Sequence, residues 1–329
     1  MFVAPLKNNI QASVIILTVV GFSLWGISFA FSNTPVAQYT EDEHVLFNLF
    51  FNNQTSLFTT KMVTLLSILL GAFFVNFLTI NQEISSKTNY IPSFLYIIFG
   101  FSSSTHQNME PILIANLMLL PGIYFLISGY KQDVALSSFF KAGLCLGLAS
   151  FFYMYYIFLF PIAFITISIL RAFNWREWLV LLLGLTVPLY FYININYLNN
   201  NNTFGAFGLL KNNITLLQKP VISEYYILFF IIIIYIMILA ILHYFNKGFG
   251  NKIKTIKTKY VLLWLLLLSL FIVFYKQTTD MIFLPFIIPI SIICGDYLSE
   301  IKKLKIANTL LFLFMSGFAI IYCHALGLF

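Results

Sequence analysis

The chain has 329 residues, of which 60% are hydrophobic, 19% aromatic and only 9% charged. This composition excludes a water-soluble domain, because the chain has too little polar surface to cover so large an apolar interior. The formal net charge is +7, but the basic residues lie in short links between apolar runs, where they orient helices relative to a membrane. No nucleic-acid partner is therefore implied.

Apolar runs of spanning length recur from end to end, and no segment between them is long enough to build a soluble core. We therefore predict an all-α, polytopic membrane protein with the lipid bilayer as its solvent and one transmembrane domain over residues 1–329. The first run is expected to remain as an uncleaved helix rather than to act as a signal peptide. A hydropathy window of about 20 residues predicts helices at 12–31, 57–79, 91–105, 112–129, 178–197, 224–245, 260–275, 279–298 and 306–327.

The stretch 136–171 is either one overlong helix or two short helices broken near "FFYMYY" (151–156). Two helices put fourteen of the 18 basic residues on one side of the membrane, as the positive-inside rule requires, whereas one helix separates the basic clusters. We therefore predict eleven spans in a bacterial inner membrane, with a cytoplasmic N-terminus. The outer loops are then 32–56, 106–111, 197–222 and 276–280, and the lysine-rich cytoplasmic loops are 246–259 and 299–305.

Three consecutive acids, Glu41, Asp42 and Glu43, follow the first apolar run. The next residues, "HVLFNLFF" (44–51), favour an amphipathic helix on the membrane surface, which would hold these carboxylates at headgroup depth. A carboxylate there can act as a general base on a hydroxyl or coordinate a cation. The alternative is a solvated loop whose acids cap the next helix.

A second polar cluster, "SSSTHQNMEP" (102–111), contains His106 and Glu110. It indicates either a substrate-binding mouth between two helices or a pair of ordinary helix caps. A metal site built from His44, His106 and the acids is only weakly indicated, because isolated histidines lack helical spacing. No metal ligand is predicted, although a divalent cation would be compatible with the acids.

Two lysines and two tyrosines complete the predicted site. Lys61 and Lys276 would lie at the outer ends of helices, where each can neutralise a phosphate or simply extend its ammonium to the interface. Tyr153 and Tyr156, in "YMYY" (153–156), can stack on a sugar or an isoprenoid chain, or belong to an interfacial tyrosine belt.

In order along the chain, these pieces resemble the GT-C superfamily of membrane glycosyltransferases, which includes protein O-mannosyltransferases and aminoarabinose transferases. "TEDEHVLFN" (40–48) looks like the family's first outer loop with its Asp-Glu pair, and Glu110 resembles its second outer-loop acid. The runs 141–170, 184–193 and 283–298 are similar to later family helices. The arginine often found before the proline-containing helix is absent, with Asp280 near its place, and the chain lacks a large periplasmic domain.

The resemblance implies a polyprenyl-phosphate sugar as donor and inverting transfer to a hydroxyl acceptor on the outer face of the membrane. It implies Asp42 and Glu43 as the catalytic pair, with Asp42 as base. It implies that Glu110 orients the acceptor and that Lys276 or Lys61 holds the phosphate. His106, Tyr153 and Tyr156 complete the predicted substrate-binding residues on the evidence of their own sequence setting.

Two other functions stay open. The chain can be a non-catalytic subunit of an envelope-assembly or secretion complex, with a membrane-protein partner, from a Bacteroidota-type family that kept the scaffold and lost the chemistry. It can also be a transporter of a lipid-linked sugar, although transport usually requires ionisable residues near mid-membrane, and none is evident there.

Overall fold

The computed structural model describes residues 3–31, 47, 57–85, 89–102, 110–130, 132–198, 224–246, 252–275 and 284–325. Within these ranges the chain forms α-helices and two 310 segments, and no β-strand is present. The elements are α1 (Val3–Asn8), α2 (Ile10–Phe31), α3 (Leu57–Asn81), α4 (Ile91–Gly100), α5 (Pro111–Ser128), α6 (Leu136–Phe152), η1 (Met154–Leu159), α7 (Phe160–Leu170), α8 (Trp175–Leu198), α9 (Glu224–Asn246), α10 (Ile253–Tyr275), η2 (Leu284–Phe286), α11 (Ile287–Glu300) and α12 (Leu304–Ala325).

Seven of the described helices, α2, α3, α5, α8, α9, α10 and α12, are long and apolar enough to cross a membrane. Large apolar side chains on several of them are exposed, among them Phe22 on α2, Leu183 on α8, Ile231 on α9 and Phe312 on α12. Lipid can cover such faces, whereas water cannot without a large free-energy cost. The predicted all-α membrane protein is confirmed at this level.

Two short helices form the centre of the bundle. Every residue of α4 is buried, and in α11 every residue from Ile287 to Ser299 is buried except Tyr297. A helix that is apolar on all sides is stable only in an interior, because it has no face to offer to a polar solvent. The two helices contact each other so closely that a Cβ atom built on Gly295 would lie 2.6 Å from Cα of Pro92.

Glycines also bring α6 and α8 into backbone contact. A Cβ atom built on Gly143 would lie 3.1 Å from Cα of Gly184, and one built on Gly147 would lie 3.0 Å from Cγ of Pro188. Gly143 and Gly147 form a small-xxx-small pair, which lets membrane helices approach closely enough for dense van der Waals packing. Because position 143 faces 184 and position 147 faces 188, the two helices run parallel.

Polar contacts identify one end of the bundle, which we call the Lys259 end. Lys252, just before α10, contacts Glu83, just after α3, with Nζ 2.6 Å from Oε2. Lys259, in the second turn of α10, lies 2.8 Å from Asp296, near the end of α11. The end of α3, the start of α10 and the end of α11 therefore meet there.

Another contact at a helix end involves Arg171, which follows α7. Its Nη1 donates hydrogen bonds to the carbonyl oxygens of Gly129 and Gln132, at 2.7 and 2.6 Å, and its Nη2 lies 2.9 Å from Glu177. A cation at the carboxyl end of a helix satisfies carbonyls that lack helical partners and complements the helix dipole. Arg171 thus joins the end of α5 to the start of α8.

The observed boundaries agree closely with the predicted ones, and the break predicted near residues 151–156 is confirmed. Tyr153 has an extended backbone, with φ −138° and ψ 100°, and η1 follows it. Within the described residues the prediction was wrong at three boundaries. The predicted helix 279–298 contains the 310 segment η2, and its α-helical part begins only at Ile287. Helix α4 ends at Gly100 rather than at 105, because glycine and the serines after it are weak helix formers.

Helix α10 begins at Ile253 rather than at 260, so the predicted cytoplasmic loop 246–259 is shorter. Lys254, Lys257 and Lys259 lie on its first two turns rather than in a loop. A hydropathy window misses this start because the lysines lower the average hydropathy of the first turns. In the structure a charged lysine in these turns has a partner, as Lys259 has in Asp296.

Candidate functional site

The predicted site residues divide into two groups. Asp42, Glu43, His106 and Lys276 lie outside the described residues, and so do Glu41 and His44. Lys61, Glu110, Tyr153 and Tyr156 are described, and all four are buried. The geometry below concerns these four and the residues that contact them.

Lys61 is in the second turn of α3 and is only 2% exposed. Its Nζ lies 4.8 Å from the centre of the Phe29 ring, and its carbonyl oxygen accepts a hydrogen bond from Trp25 Nε1 at 3.0 Å. A cation over an aromatic face is stabilised by about 0.5–2 kcal/mol, more where water is excluded. The Lys61 side chain is therefore covered by other parts of the protein.

Glu110 immediately precedes α5 and is 2% exposed. Its backbone is extended, with φ −94° and ψ 132°, and Pro111 occupies the first helical position. The side chain makes no capping hydrogen bond to the helix, so the simple cap interpretation does not account for it. Glu110 therefore lies at the amino-terminal end of α5, buried within the protein.

A hydrogen-bonded chain joins α5 to both 310 segments. The Tyr156 hydroxyl donates to Asn116 Oδ1 at 2.6 Å, and Asn116 Nδ2 donates to the carbonyl oxygen of Leu284 at 3.1 Å. Asn116 and Tyr156 are at most 1% exposed. Non-α backbone at membrane depth requires protein partners for its polar groups, and Asn116 supplies one of them.

The tyrosines of 153–156 lie inside the bundle rather than in a lipid-facing belt. Tyr153, Tyr155 and Tyr156 are all buried. The Tyr153 ring packs edge-on against Tyr156, with ring centres 5.2 Å apart, and lies 5.4 Å from the Tyr155 ring. Such pairs add about 0.5–1.5 kcal/mol beyond the area they bury.

These groups share the end of the bundle opposite the Lys259 end, which we call the Tyr156 end. Helix α3 ends beside α10 at the Lys259 end, so Lys61, near the start of α3, lies at the opposite end. Helix α11 also ends at the Lys259 end, so Leu284, at the start of η2, lies far from the Lys259 end. Asn116 contacts Leu284 and is in the second turn of α5, which brings Glu110 to the Tyr156 end as well.

The Tyr156 end therefore combines a buried ammonium, a buried carboxyl and an ordered amide–phenol chain. An ammonium can bind a phosphate by charge, a carboxyl can orient a hydroxyl or a cation, and buried tyrosines offer flat faces to a ring or a polyprenyl chain. The sequence interpretation missed Asn116. Its only sequence signal is that it interrupts the apolar run "PILIANLMLLPG" (111–122).

Comparison with known proteins identifies a sequence family. Residues 43–328 match the sequence family DUF6427, described as a family of unknown function. No curated protein and no solved structure matches the chain.

Proposed function

Since this chain belongs to the DUF6427 family, whose function is unknown, we propose a function from the site itself. The protein is a membrane glycosyltransferase that moves a sugar from a polyprenyl-phosphate donor to a hydroxyl acceptor. The reaction takes place at the Tyr156 end, which faces the outer side of a bacterial inner membrane. This proposal extends the resemblance of the sequence to the GT-C superfamily.

One observation carries the proposal: Lys61 and Glu110, two ionisable residues at most 2% exposed, lie at the same end as the Tyr156–Asn116 chain. Ionisable side chains inside a membrane bundle are costly, and they usually mark a substrate or ion site. A donor with a phosphate and an apolar tail needs a cation next to lipid. Lys61 meets this need because the neighbouring Phe29 and Phe58 rings are 42% and 52% exposed.

The proposed roles follow from the chemistry of each group. Asp42 is the general base, and Glu43 and Glu110 orient the acceptor or a divalent cation. Lys61 and Lys276 hold the donor phosphate, His106 contacts the substrate, and Tyr153 and Tyr156 line the path of the sugar or the polyprenyl chain.

The proposed topology has eleven spans and a cytoplasmic N-terminus. It is supported by the parallel directions of α6 and α8 and by the split of 136–171 into α6 and η1–α7. It puts on the cytoplasmic side Lys7, Lys87, Lys131, Lys141, Arg171, Arg176, Lys247, Lys252, Lys254, Lys257, Lys259, Lys302, Lys303 and Lys305.

The test is sugar transfer in membranes that carry each variant at matched abundance, supplied with a radiolabelled polyprenyl-phosphate sugar. Asp42→Asn keeps the size of the side chain but cannot accept the proton, so transfer should fall by about 10²–10⁴-fold. Lys61→Gln and Glu110→Gln should also reduce transfer. Glu41→Gln should reduce it far less, because adjacent residues do not face the same way.

Lys141→Gln is the matched control for Lys61→Gln. Lys141 is exposed, lies in the second turn of α6 and belongs to the proposed cytoplasmic side. Its substitution should leave transfer unchanged. Transfer that survives Asp42→Asn would rule out the mechanism, whereas a loss of complex assembly alone would favour a non-catalytic membrane subunit.

A further inference from the structure

The link between α7 and α8, together with the first residues of α8, forms an exposed aromatic and basic surface. Residues 172–176 are all exposed, with Phe173 at 78% and Trp175 at 59%. The centre of the Arg176 guanidinium lies 5.8 Å from the centre of the Trp175 ring. At this distance a cation and an aromatic face attract each other, so the two side chains form a unit at the start of α8.

Arg176 differs from the neighbouring Arg171 in its charge balance. Arg171 binds two backbone carbonyls and lies 2.9 Å from Glu177. None of the acids whose side chains the structure describes forms an ion pair with Arg176. Glu177, in the first turn of α8, is only 2% exposed and is already paired with Arg171. Arg176 therefore presents a positive charge that the described part of the chain leaves without a counter-ion.

An exposed apolar stripe begins at Trp175 and continues along α8. Leu179, Leu182 and Leu183 are 47%, 42% and 59% exposed. They follow Trp175 by four, seven and eight residues, which places all four side chains on one face of the helix. The part of α8 that is apolar enough to cross a membrane starts at Trp175. The stripe therefore runs from the membrane–water boundary into the hydrocarbon. We call Trp175, Arg176 and these three leucines the Arg176 surface.

The parts of the Arg176 surface match the parts of a phospholipid. A guanidinium donates two parallel hydrogen bonds to phosphate oxygens, and an indole ring is favoured at headgroup depth. The charge selects an acidic lipid, because a zwitterionic headgroup brings its own cation and leaves the charge of Arg176 uncompensated. We propose that the Arg176 surface binds one acidic phospholipid, with the phosphodiester at Arg176 and an acyl chain along the three leucines.

Other occupants fit only part of the Arg176 surface. A free phosphate ion uses the guanidinium but not the leucines. An apolar helix of another chain covers the leucines but leaves the charge of Arg176 uncompensated. An acidic phospholipid uses both parts at once, since its charge and its acyl chain are joined in one molecule.

The proposed lipid site is at the Lys259 end of the bundle. Lys257, in the second turn of α10, donates a hydrogen bond from Nζ to the carbonyl oxygen of Leu170 at 3.3 Å. This contact places the end of α7, and with it the start of α8, beside the start of α10. The lipid site is therefore at the opposite end from the proposed transferase site and does not depend on that activity.

The test is fluorescence quenching in phosphatidylcholine vesicles by phospholipids brominated on their acyl chains. Trp25, Trp178 and Trp264 are replaced by Phe so that Trp175 is the remaining indole. Brominated phosphatidylglycerol should bind next to Trp175 about five-fold more strongly than brominated phosphatidylcholine, the effect expected of one basic side chain at an anionic surface. In Arg176→Gln this ratio should fall towards one.

Lys302→Gln is the matched control for Arg176→Gln. Lys302 is also an exposed cation, but it is in the link between α11 and α12, so its loss should leave the quenching of Trp175 unchanged. Arg176→Lys should retain part of the preference, because an ammonium keeps the charge but lacks the planar fork. Native mass spectrometry of the parent chain and of Arg176→Gln counts retained phosphatidylglycerol molecules, and it decides the outcome if the chain with one tryptophan does not fold.

Four results overturn the proposal. The first is equal quenching by the two lipids, and the second is a preference for phosphatidylglycerol that survives Arg176→Gln. The third is an equal loss of preference in Lys302→Gln, which would show attraction by net charge alone. The fourth is loss of the preference in inorganic phosphate at constant ionic strength, which would assign Arg176 to a free anion. Protection of Trp175 from both lipids would instead show that another chain covers the stripe, and it would equally reject the lipid site.

Discussion

Asn116 shows how a single polar side chain organises the Tyr156 end. Its amide oxygen accepts a hydrogen bond from Tyr156, and its amide nitrogen donates one to Leu284. Each of these partners is in a 310 segment outside α5, so one side chain connects three parts of the chain. Both the oxygen and the nitrogen of the amide form hydrogen bonds, which fixes the orientation of the Asn116 side chain.

Tyr156→Phe should destabilise the protein by about 1–2 kcal/mol, because it leaves Asn116 Oδ1 buried without its donor. The measurement is denaturant unfolding of the purified chain in mixed micelles. Tyr190→Phe is the control, since Tyr190 is 64% exposed, and it should change stability little. A double-mutant cycle of Tyr156→Phe and Asn116→Ala should show that the two changes in the free energy of unfolding are coupled. Additive changes would contradict the hydrogen bond.

Lys61→Met tests whether the buried ammonium serves function rather than stability. Methionine keeps most of the length of the side chain but removes its charge and the contact of the ammonium with the Phe29 ring, so the free energy of unfolding should fall by about 0.5–2 kcal/mol. Sugar transfer should fall in the same variant, and Lys61→Arg should retain more of it. Unfolding and transfer are measured on the same preparation. A large loss of stability with normal transfer per folded molecule would make Lys61 a structural residue.

At the scale of elements, the link after α3 contains a residue in a conformation that favours glycine. Glu83 has φ 52°, and Thr255 Oγ1 donates to its carbonyl oxygen at 3.1 Å. A hydrogen bond and the charge of Lys252 lower the pKa of the Glu83 carboxyl. Both side chains are largely exposed, at 50% for Glu83 and 74% for Lys252, so the pair contributes little stability.

Glu83→Gly should be more stable than Glu83→Ala by about 1 kcal/mol, because a left-handed backbone costs a residue with a Cβ atom about 1–2 kcal/mol. Both variants lose the contact with Lys252, so their difference isolates the backbone effect. Thermal unfolding in detergent measures it. Equal stabilities would show that the turn relaxes to another conformation.

The contact between α6 and α8 depends on glycine at 143 and 184. Gly184→Leu should destabilise the protein by about 1–3 kcal/mol or prevent folding, because the new side chain has no room between the two backbones. Gly26→Ala is the control, since among the described residues no atom beyond the local helix backbone lies within 4 Å of a Cβ atom built there. It should be neutral or stabilising by up to about 1 kcal/mol. The expression level and the unfolding in mixed micelles are compared for Gly184→Leu and Gly26→Ala. A well-folded Gly184→Leu protein would contradict the close packing of α6 against α8.

For the whole molecule, the central question is which side of the membrane each end of the bundle faces. Helices α4 and α11 are shorter than a usual span, and nearly all of their residues are buried, so their hydropathy does not show whether they contact lipid. The split at Tyr153 reverses the direction of every helix after it. The proposed sidedness of the Lys259 end therefore depends on this one break in the chain.

A reporter fused after Lys252 should be cytoplasmic, and one fused after Phe329 should lie on the other side of the membrane, because an odd number of spans separates the two termini. The location of each fusion point is measured with two reporters, a phosphatase that is active only outside the cytoplasm and a fluorescent protein that is active only inside it. A reporter after Lys252 that is active outside would contradict both the eleven-span topology and the outer position of the Tyr156 end.

The sequence by itself determined the helical character, most helix boundaries and the break at 151–156. Those features depend on local composition, which a hydropathy window and lysine positions report directly. It also marked Lys61, Glu110, Tyr153 and Tyr156. Only the tertiary structure decided that these residues are buried at one end of the bundle.

The partners of these side chains were likewise decided by tertiary structure. Asn116 meets Leu284 across 168 positions, and His243 meets Glu300 across 57. In a membrane protein nearly every helix face is apolar, whether it packs against lipid or protein. Periodicity therefore cannot tell which faces meet, and the pairing of distant polar groups follows from helix packing alone.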